Sequence, residues 1–442
     1  MPRIEDLLRS AAESLVNRRH HYLLLAFAGL SIFAGKAAIS LTRPSGQDLW
    51  LGLAIWIACA LGGTALLNRY LPARDPVLFP LAIFLSGWGL VAIQRLAPSF
   101  AARQALWLVI SVGAMLFAAV FPHLLRWLRV YRYVVLAGAL MLLLATIVFG
   151  SNPSGFEFAP RLWLQVGAVY FQPSEFMKLV LVAFMASYLG EQSAVIRAER
   201  GDASMKLPLS PRLAGPMLSM WLLSLVILVW QRDLGPAMLL FVVFLLLLYT
   251  TSGDWRILIG GLLLVLLAAA AAYHLFDVVK LRVDIWLNPW PESDGRAYQI
   301  VQSLMAFGAG GILGTGVGLG SPGYIPVVHS DFVFAALAEE WGLLGVIGVL
   351  SCFAVLTLRG LSIGLTHGGR DSHKLLAVGL TMMLVVQALM IMAGVLKLLP
   401  LTGVTLPFIS YGGSSLLVCF VMIGLLLRLS AEAFSTRHPG AL

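Results

Sequence analysis

About twelve apolar runs, each of roughly 20 residues, follow one another along this 442-residue chain. A helix needs about 20 such residues to cross ~30 Å of hydrocarbon. The runs fall at 22–41, 50–67, 78–95, 105–121, 133–149, 174–190, 213–230, 234–252, 256–274, 333–356, 375–396 and 407–428. Charged residues make up 12% of the chain, against roughly a quarter in a soluble globular domain. Apolar and polar positions do not alternate over successive short runs, which argues against an outer-membrane barrel. The fold class expected is an all-α polytopic membrane protein with about twelve transmembrane helices.

Lys and Arg mark the topology, because they concentrate in cytoplasmic loops. With the N-terminus inside, the N-terminal segment, the even-numbered loops and the C-terminal tail hold about twice as many as the odd-numbered loops. Residues 1–21 and 431–442 then read as cytoplasmic, and the long loop from Leu275 to Phe332 faces outward. The formal charge of +9 is scattered over the loops rather than gathered into one patch, so no nucleic-acid partner is expected. Cys59, Cys352 and Cys419 all fall inside spans, which indicates neither a disulfide framework nor a thiolate metal site. Residues 1–21 lack the short apolar core and cleavage site of a removable leader.

The stretch from Tyr298 to Gly345 carries the chain's densest polar pattern. A short apolar helix over 298–315, interfacial or re-entrant, leads into the glycines from Gly308 to Gly320. These would let backbone approach other groups closely or turn N–H groups toward an anion. His329, Ser330 and Asp331 then open an apolar helix, with Glu339 and Glu340 following. Three carboxylates within ten residues at a membrane edge need a reason, because an ionisable group at membrane depth is costly. From the residues alone two readings of Asp331 stand: a helix cap, or a functional carboxylate.

Other outward segments add polar groups. Arg161 sits in the loop 150–173. Pro173 and Ser174 suit a helix start, and Glu175 and Lys178, at i and i+3, can meet on one face. Arg232 and Asp233 lie in a connection too short for a domain. Gln299 and Gln302 belong to the short apolar helix. Pro400 and Pro407 break the helices near Lys397 and Thr402, where Ser410, Tyr411, Ser414 and Ser415 supply hydroxyls; irregular backbone at such depth is tolerated inside protein or along a cavity.

FQPSEFMK at 171–178, QRDLG at 231–235, YQIVQSL at 298–304, HSDFVFAALAEEWG at 329–342 and LPLTGVTLPFISYGGSS at 399–415 resemble, in order, the signature blocks of the shape, elongation, division and sporulation family. The resemblance covers about 74–430 and implies a ten-helix core, with residues 22–73 forming two further N-terminal helices. It implies a peptidoglycan glycosyltransferase that polymerises lipid II outside the cytoplasmic membrane, beside a class B penicillin-binding protein. It makes Asp331 the catalytic aspartate. Arg161, Glu175, Lys178, Asp233 and the Ser410–Ser415 turn match positions lining the cavity. The same blocks contribute Gln299, Gln302, His329, Ser330, Glu339, Glu340 and Thr402 as substrate-side candidates. Three positions depart from the family pattern: Arg232 stands where proline is frequent, Ile391 where asparagine is frequent, and Lys397 where glycine is frequent.

The implied chemistry suits these residues. The 4-hydroxyl of an acceptor sugar needs a general base, and an outward carboxylate can serve. The departing undecaprenyl diphosphate needs cations: Lys, Arg, a helix N-terminus or a divalent ion such as Mg²⁺ or Mn²⁺. No organic cofactor is expected. Lipid II, the growing glycan strand and membrane lipid are the expected partners beside the transpeptidase. A lipid II flippase would show matching interrupted helices in repeated halves; no internal repeat is present. A non-catalytic scaffold would leave Asp331 dispensable.

Overall fold

The computed structural model describes residues 4–42, 48–152, 161–167, 169–201, 211–231 and 233–437. In chain order the helices are α1 (Ile4–Thr42), α2 (Asp48–Tyr70), α3 (Leu78–Leu96), α4 (Pro98–Val120), α5 (His123–Val130) and α6 (Arg132–Phe149). A hairpin of β1 (Leu164–Val166) and β2 (Val169–Phe171) follows. Next come α7 (Pro173–Gly201), α8 (Pro211–Trp230), α9 (Leu234–Ser252), α10 (Arg256–Leu275), α11 (Asp277–Leu287) and α12 (Tyr298–Gly310). The chain ends with α13 (Val333–Thr366), α14 (Asp371–Val395) and α15 (Gly413–Arg437). Among the described residues ten helices are long and apolar enough to cross a membrane. The other two predicted spans, 174–190 and 213–230, coincide with α7, which opens with Glu175 and Lys178, and with α8, whose apolar stretch Gly215–Trp230 is shorter. The chain is therefore a multi-pass membrane protein. Of α10 only Gly261 is buried, leaving a nearly all-apolar helix with no water-facing side.

Some boundaries differ from the sequence reading. The N-terminal segment is no separate piece: α1 runs unbroken from Ile4. The last predicted span begins at 407, but α15 begins at Gly413, because Phe408 takes φ 67° and the Ser410 hydroxyl accepts from the Leu406 N–H at 2.9 Å. The short apolar helix ends at Gly310 rather than 315.

Two compact units divide the chain. The first comprises Met1–Val120, Ala272–Arg359 and Gln387–Leu442. In it α15 lies along α4, and α1, α2 and α3 pack with them. The second comprises Phe121–Ala271 and Gly360–Val386. It is centred on α7, buried almost continuously from Met177 to Leu189 and flanked by α6 and α9.

The Gly-rich segment docks onto a break in α13 within the first unit. Gly342 leaves helical geometry at φ 64° and ψ −163°. The Glu339 and Glu340 carbonyls, freed from the helix, accept from the Thr315 and Gly316 N–H groups at 2.9 and 3.1 Å. The Leu343 N–H donates to the Gly311 carbonyl at 2.9 Å. A Cβ on Gly314 would collide with the Glu340 carbonyl, and one on Gly342 with Gly314 and Ile312. The glycines thus allow close approach, as expected. The N–H groups of Thr315 and Gly316 satisfy the helix break rather than facing an anion, because a broken helix in lipid must find partners inside the protein.

Candidate functional site

In the first unit three segments meet around Asp331. One is the run of turns from Pro326 to Phe332 that leads into α13. The second is the irregular turn 397–412. The third is α11. The Ser410 hydroxyl donates to the Ser330 carbonyl at 2.6 Å, and the Tyr411 N–H donates to the His329 carbonyl at 2.9 Å. Rings finish the join: Phe100 stacks on Tyr411 at 4.7 Å and meets His329 at 5.1 Å. The Thr405 and Ser415 hydroxyls bond at 2.7 Å, and Gln387 donates to the Thr405 carbonyl at 2.8 Å. Ser414 is buried beside them at the start of α15.

Asp331 is half-buried, two residues ahead of α13. A Cβ on Gly403 would lie 3.9 Å from its Oδ2. Burial pushes its carboxyl above the ordinary carboxylate range, opposed by the Ser330 hydroxyl and the Arg282 guanidinium. Burial also lowers the His329 pKa, favouring a neutral ring.

Backbone strain gathers at the same place. Among the described residues three non-glycine positions have positive φ: Val327, Lys397 and Phe408. Val327 leads into His329–Asp331, and the other two lie within the facing turn. Such conformations cost about 1–3 kcal/mol each and persist where surroundings over-determine them. The Thr402 hydroxyl, in that turn, is buried without a hydrogen-bond partner. Gln299 reaches the Pro326 carbonyl at 3.4 Å, and Gln302 is half-buried on α12.

Glu339 and Glu340 are engaged by other segments of this unit. Both are buried. Glu339 Oε1 accepts from the Ser321 N–H at 2.6 Å, and Glu340 pairs with Arg95 at 3.0 Å. Arg95 also donates to the Gly320 carbonyl at 2.8 Å. Placed against the helix break, the two acids lock the Gly-rich segment down.

A second cluster lies in the second unit. The β1–β2 hairpin, paired Leu164 to Phe171, delivers Gln172 to the start of α7. Pro173 opens the helix, and Glu175 and Lys178 form a buried ion pair at 2.7 Å. Asp233 stands at the start of α9. Its pKa is raised to about 6, chiefly by burial. Ser174, Lys178 and Gln172 favour its charged form, and Glu175 opposes it. Arg161 is exposed near the hairpin, and Arg232 lies outside the described residues.

Sequence reasoning missed Arg282, Arg95 and Phe100. Their motif signal is weak, since each acts through a partner far along the chain: Arg95 and Glu340 are 245 residues apart.

The family described as cell cycle protein, FtsW/RodA/SpoVE, matches residues 77–434. The peptidoglycan glycosyltransferase RodA of Mycobacterium tuberculosis is 35% identical, covering 94% of this chain and 91% of its own. A solved peptidoglycan synthase complex, described as structurally coordinating polymerization and crosslinking, superposes with a TM-score of 0.66 at 27% identity, covering 81% of this chain and 98% of that one. Rod shape determining protein RodA of Thermus thermophilus superposes with a TM-score of 0.58 at 26% identity, covering 81% and 96%. The protein belongs to the FtsW, RodA and SpoVE family.

Proposed function

We infer that the protein is a membrane-embedded peptidoglycan glycosyltransferase that polymerises lipid II into β-1,4 glycan strands for cell-wall synthesis. The observation that carries this reading is Asp331: a half-buried carboxylate, opposed by a guanidinium and framed by strained turns, in a chain of this family.

Asp331 acts as general base. It takes the proton of the acceptor sugar's 4-hydroxyl while that oxygen attacks the anomeric carbon of the donor. The bond from this carbon to the diphosphate oxygen breaks, and its electron pair leaves with undecaprenyl diphosphate. A single displacement inverts an α-linked donor to a β-linkage. Inverting hydrolases need a second carboxyl to protonate the leaving group. A diphosphate leaves as an anion, so one carboxylate is sufficient. Burial makes Asp331 a stronger base than an exposed aspartate, and Brønsted behaviour rewards a pKa nearer the working pH. A Mg²⁺ or Mn²⁺ ion, if one takes part, would be held by Asp331 together with the diphosphate's own oxygens, and would neutralise charge on the leaving group. Its contribution is read by repeating the assay with a chelator.

The loop 275–332 faces outward and both termini lie in the cytoplasm, a reading supported by the bias of basic residues. Single Ser293→Cys and Gly369→Cys proteins should then react oppositely with an impermeant thiol reagent on intact cells. Labelling of the Gly369→Cys protein alone would reverse the orientation. The partner is a class B penicillin-binding protein, supported by the resemblance to a synthase complex.

The deciding assay is polymerisation of purified lipid II, with and without the partner, by wild type and by Asp331→Asn. Loss of a general base costs roughly 10²–10⁴ in rate, so the variant should make no detectable chains while still folding and binding its partner. Near-normal chain length from Asp331→Asn would sink the catalytic assignment and leave a flippase or a scaffold.

A further inference from the structure

Helix α5 fills the short connection between two crossing helices. The span of α4 ends at Val120, and that of α6 begins at Arg132. The ends of spans lie at the membrane surface, so the eight residues of α5 between them lie there too. Those residues divide into two faces. Leu125 is buried and Leu124 and Leu128 are half-buried, where α5 packs on α7 of the same unit. His123, Arg126, Trp127 and Val130, at i, i+3, i+4 and i+7, form the other face, and all four are exposed. Trp127 and Val130 are 49% and 56% exposed, one beside Arg126 in sequence and the other beside Arg129.

The arginines of this connection are used in two ways. Arg132 is engaged inside the protein: its guanidinium pairs with Glu191 at 2.6 Å and lies over the Tyr133 and Tyr188 rings. Arg126, exposed, and Arg129, half-buried, form no ion pair or side-chain hydrogen bond among the described residues. At i and i+3 the two guanidiniums can reach one group, and α5 itself carries no acid to balance them. A guanidinium offers paired N–H donors to phosphate oxygens. An indole beside it suits the boundary between headgroups and acyl chains.

We propose that the face of α5 formed by Arg126, Trp127 and Arg129 binds the headgroup phosphate of an anionic phospholipid of the surrounding bilayer. Leu125 anchors α5 on α7, the two arginines hold the phosphate, and Trp127 and Val130 lie toward the acyl boundary. On the orientation inferred above this is the cytoplasmic leaflet, whose anionic lipids attract basic residues beside membrane spans.

The test is photocrosslinking in phosphatidylcholine nanodiscs holding the full-length protein and a sub-saturating amount of photoactivatable phosphatidylglycerol, with the label mapped by peptide mass spectrometry. Turnover is not needed, so the result is independent of the glycosyltransferase reading. Wild type should be labelled on α5. Unlabelled phosphatidylglycerol should displace that label, and further phosphatidylcholine should not. Each basic residue at an anionic surface is worth about fivefold in affinity, or ~1 kcal/mol. Arg126→Gln with Arg129→Gln should therefore lower α5 labelling at least about tenfold. The melting temperature should stay near that of wild type, because neither side chain has a partner to lose. Arg69→Gln with Arg256→Gln removes the same charge from exposed arginines on α2 and α10, and should leave α5 labelling within about twofold of wild type. A folded Arg126→Gln, Arg129→Gln protein labelled within about twofold of wild type overturns the proposal. So does an equal loss in the Arg69→Gln, Arg256→Gln protein, which would mean attraction by net charge alone. Equal displacement of the wild-type label by the two lipids overturns it without any variant.

Discussion

Asp331 and Glu175 both stand where an apolar helix begins, one in each unit, and their surroundings handle the charge in opposite ways. Glu175 is 4% exposed, and its carboxylate meets the Lys178 ammonium at 2.7 Å within the same helix turn. The charge is cancelled locally. Asp331 is half-buried, forms no ion pair among the described residues, and feels the Arg282 guanidinium beside a strained turn. A carboxylate paired at contact distance is committed to its partner. One kept partly desolvated, with its cation at a distance, retains basicity. The comparison teaches that burial alone does not mark the reactive acid; what matters is whether its charge has already been neutralised.

The largest effect that could break this contrast lies at Asp331. Asp331→Asn should lose roughly 10²–10⁴ in polymerisation rate while its thermal midpoint in detergent stays near that of wild type. The pH profile sharpens the point. The rate requires ionised Asp331, and burial raises its pKa. Activity should therefore fall as pH drops through a midpoint above the ordinary carboxylate range. A melting temperature that collapses with Asp331→Asn would make this acid structural, like Glu175. An acid limb at the pH of an exposed aspartate would remove the role given to burial.

The reverse pattern is expected at the paired acid. Removing one partner of a buried ion pair costs about 3–5 kcal/mol, because the other charge stays buried. Glu175→Gln should lower the thermal midpoint well below that of Asp331→Asn. Adding Lys178→Met in the same chain should restore most of the loss, because the stranded charge is gone. Strictly additive losses in that double-mutant cycle would show that the pair is not coupled, and the contrast would fail.

How much of this was legible in the sequence follows from how local each interaction is. The spans were legible, since about 20 apolar residues identify a crossing helix without any partner. The Glu175–Lys178 pair was legible, because i, i+3 spacing places both on one face. Asp331 was legible as a candidate, but its surroundings were not. Arg282 reaches the 397–412 turn across more than a hundred residues, and no periodicity encodes that. Glu339 and Glu340 were legible as acids close to Asp331 in sequence, but their partners were not. Their actual partners, Arg95 and the Ser321 N–H, come from other segments. The β1–β2 hairpin escaped notice because three-residue strands carry no usable alternation.

The smallest effect concerns Asp233, which shares its cluster with the ion pair. There the nearby ammonium already pairs with Glu175, and Glu175 itself opposes ionisation of Asp233. The native carboxyl is raised to about 6 from an ordinary 3.8. Between those two pH values the native acid keeps its proton, while an unfolded one has lost it. Stability from this group is therefore full below the unfolded pKa and is lost as pH rises through the native one, by up to roughly 3 kcal/mol. Asparagine keeps the shape, the hydrogen-bonding and a neutral state at every pH. Asp233→Asn should consequently melt higher than wild type at pH 8, and the gap should close as the pH is lowered toward 4. A gap that does not change with pH would mean that Asp233 is charged at no cost, and that this cluster, too, leaves an acid free to ionise.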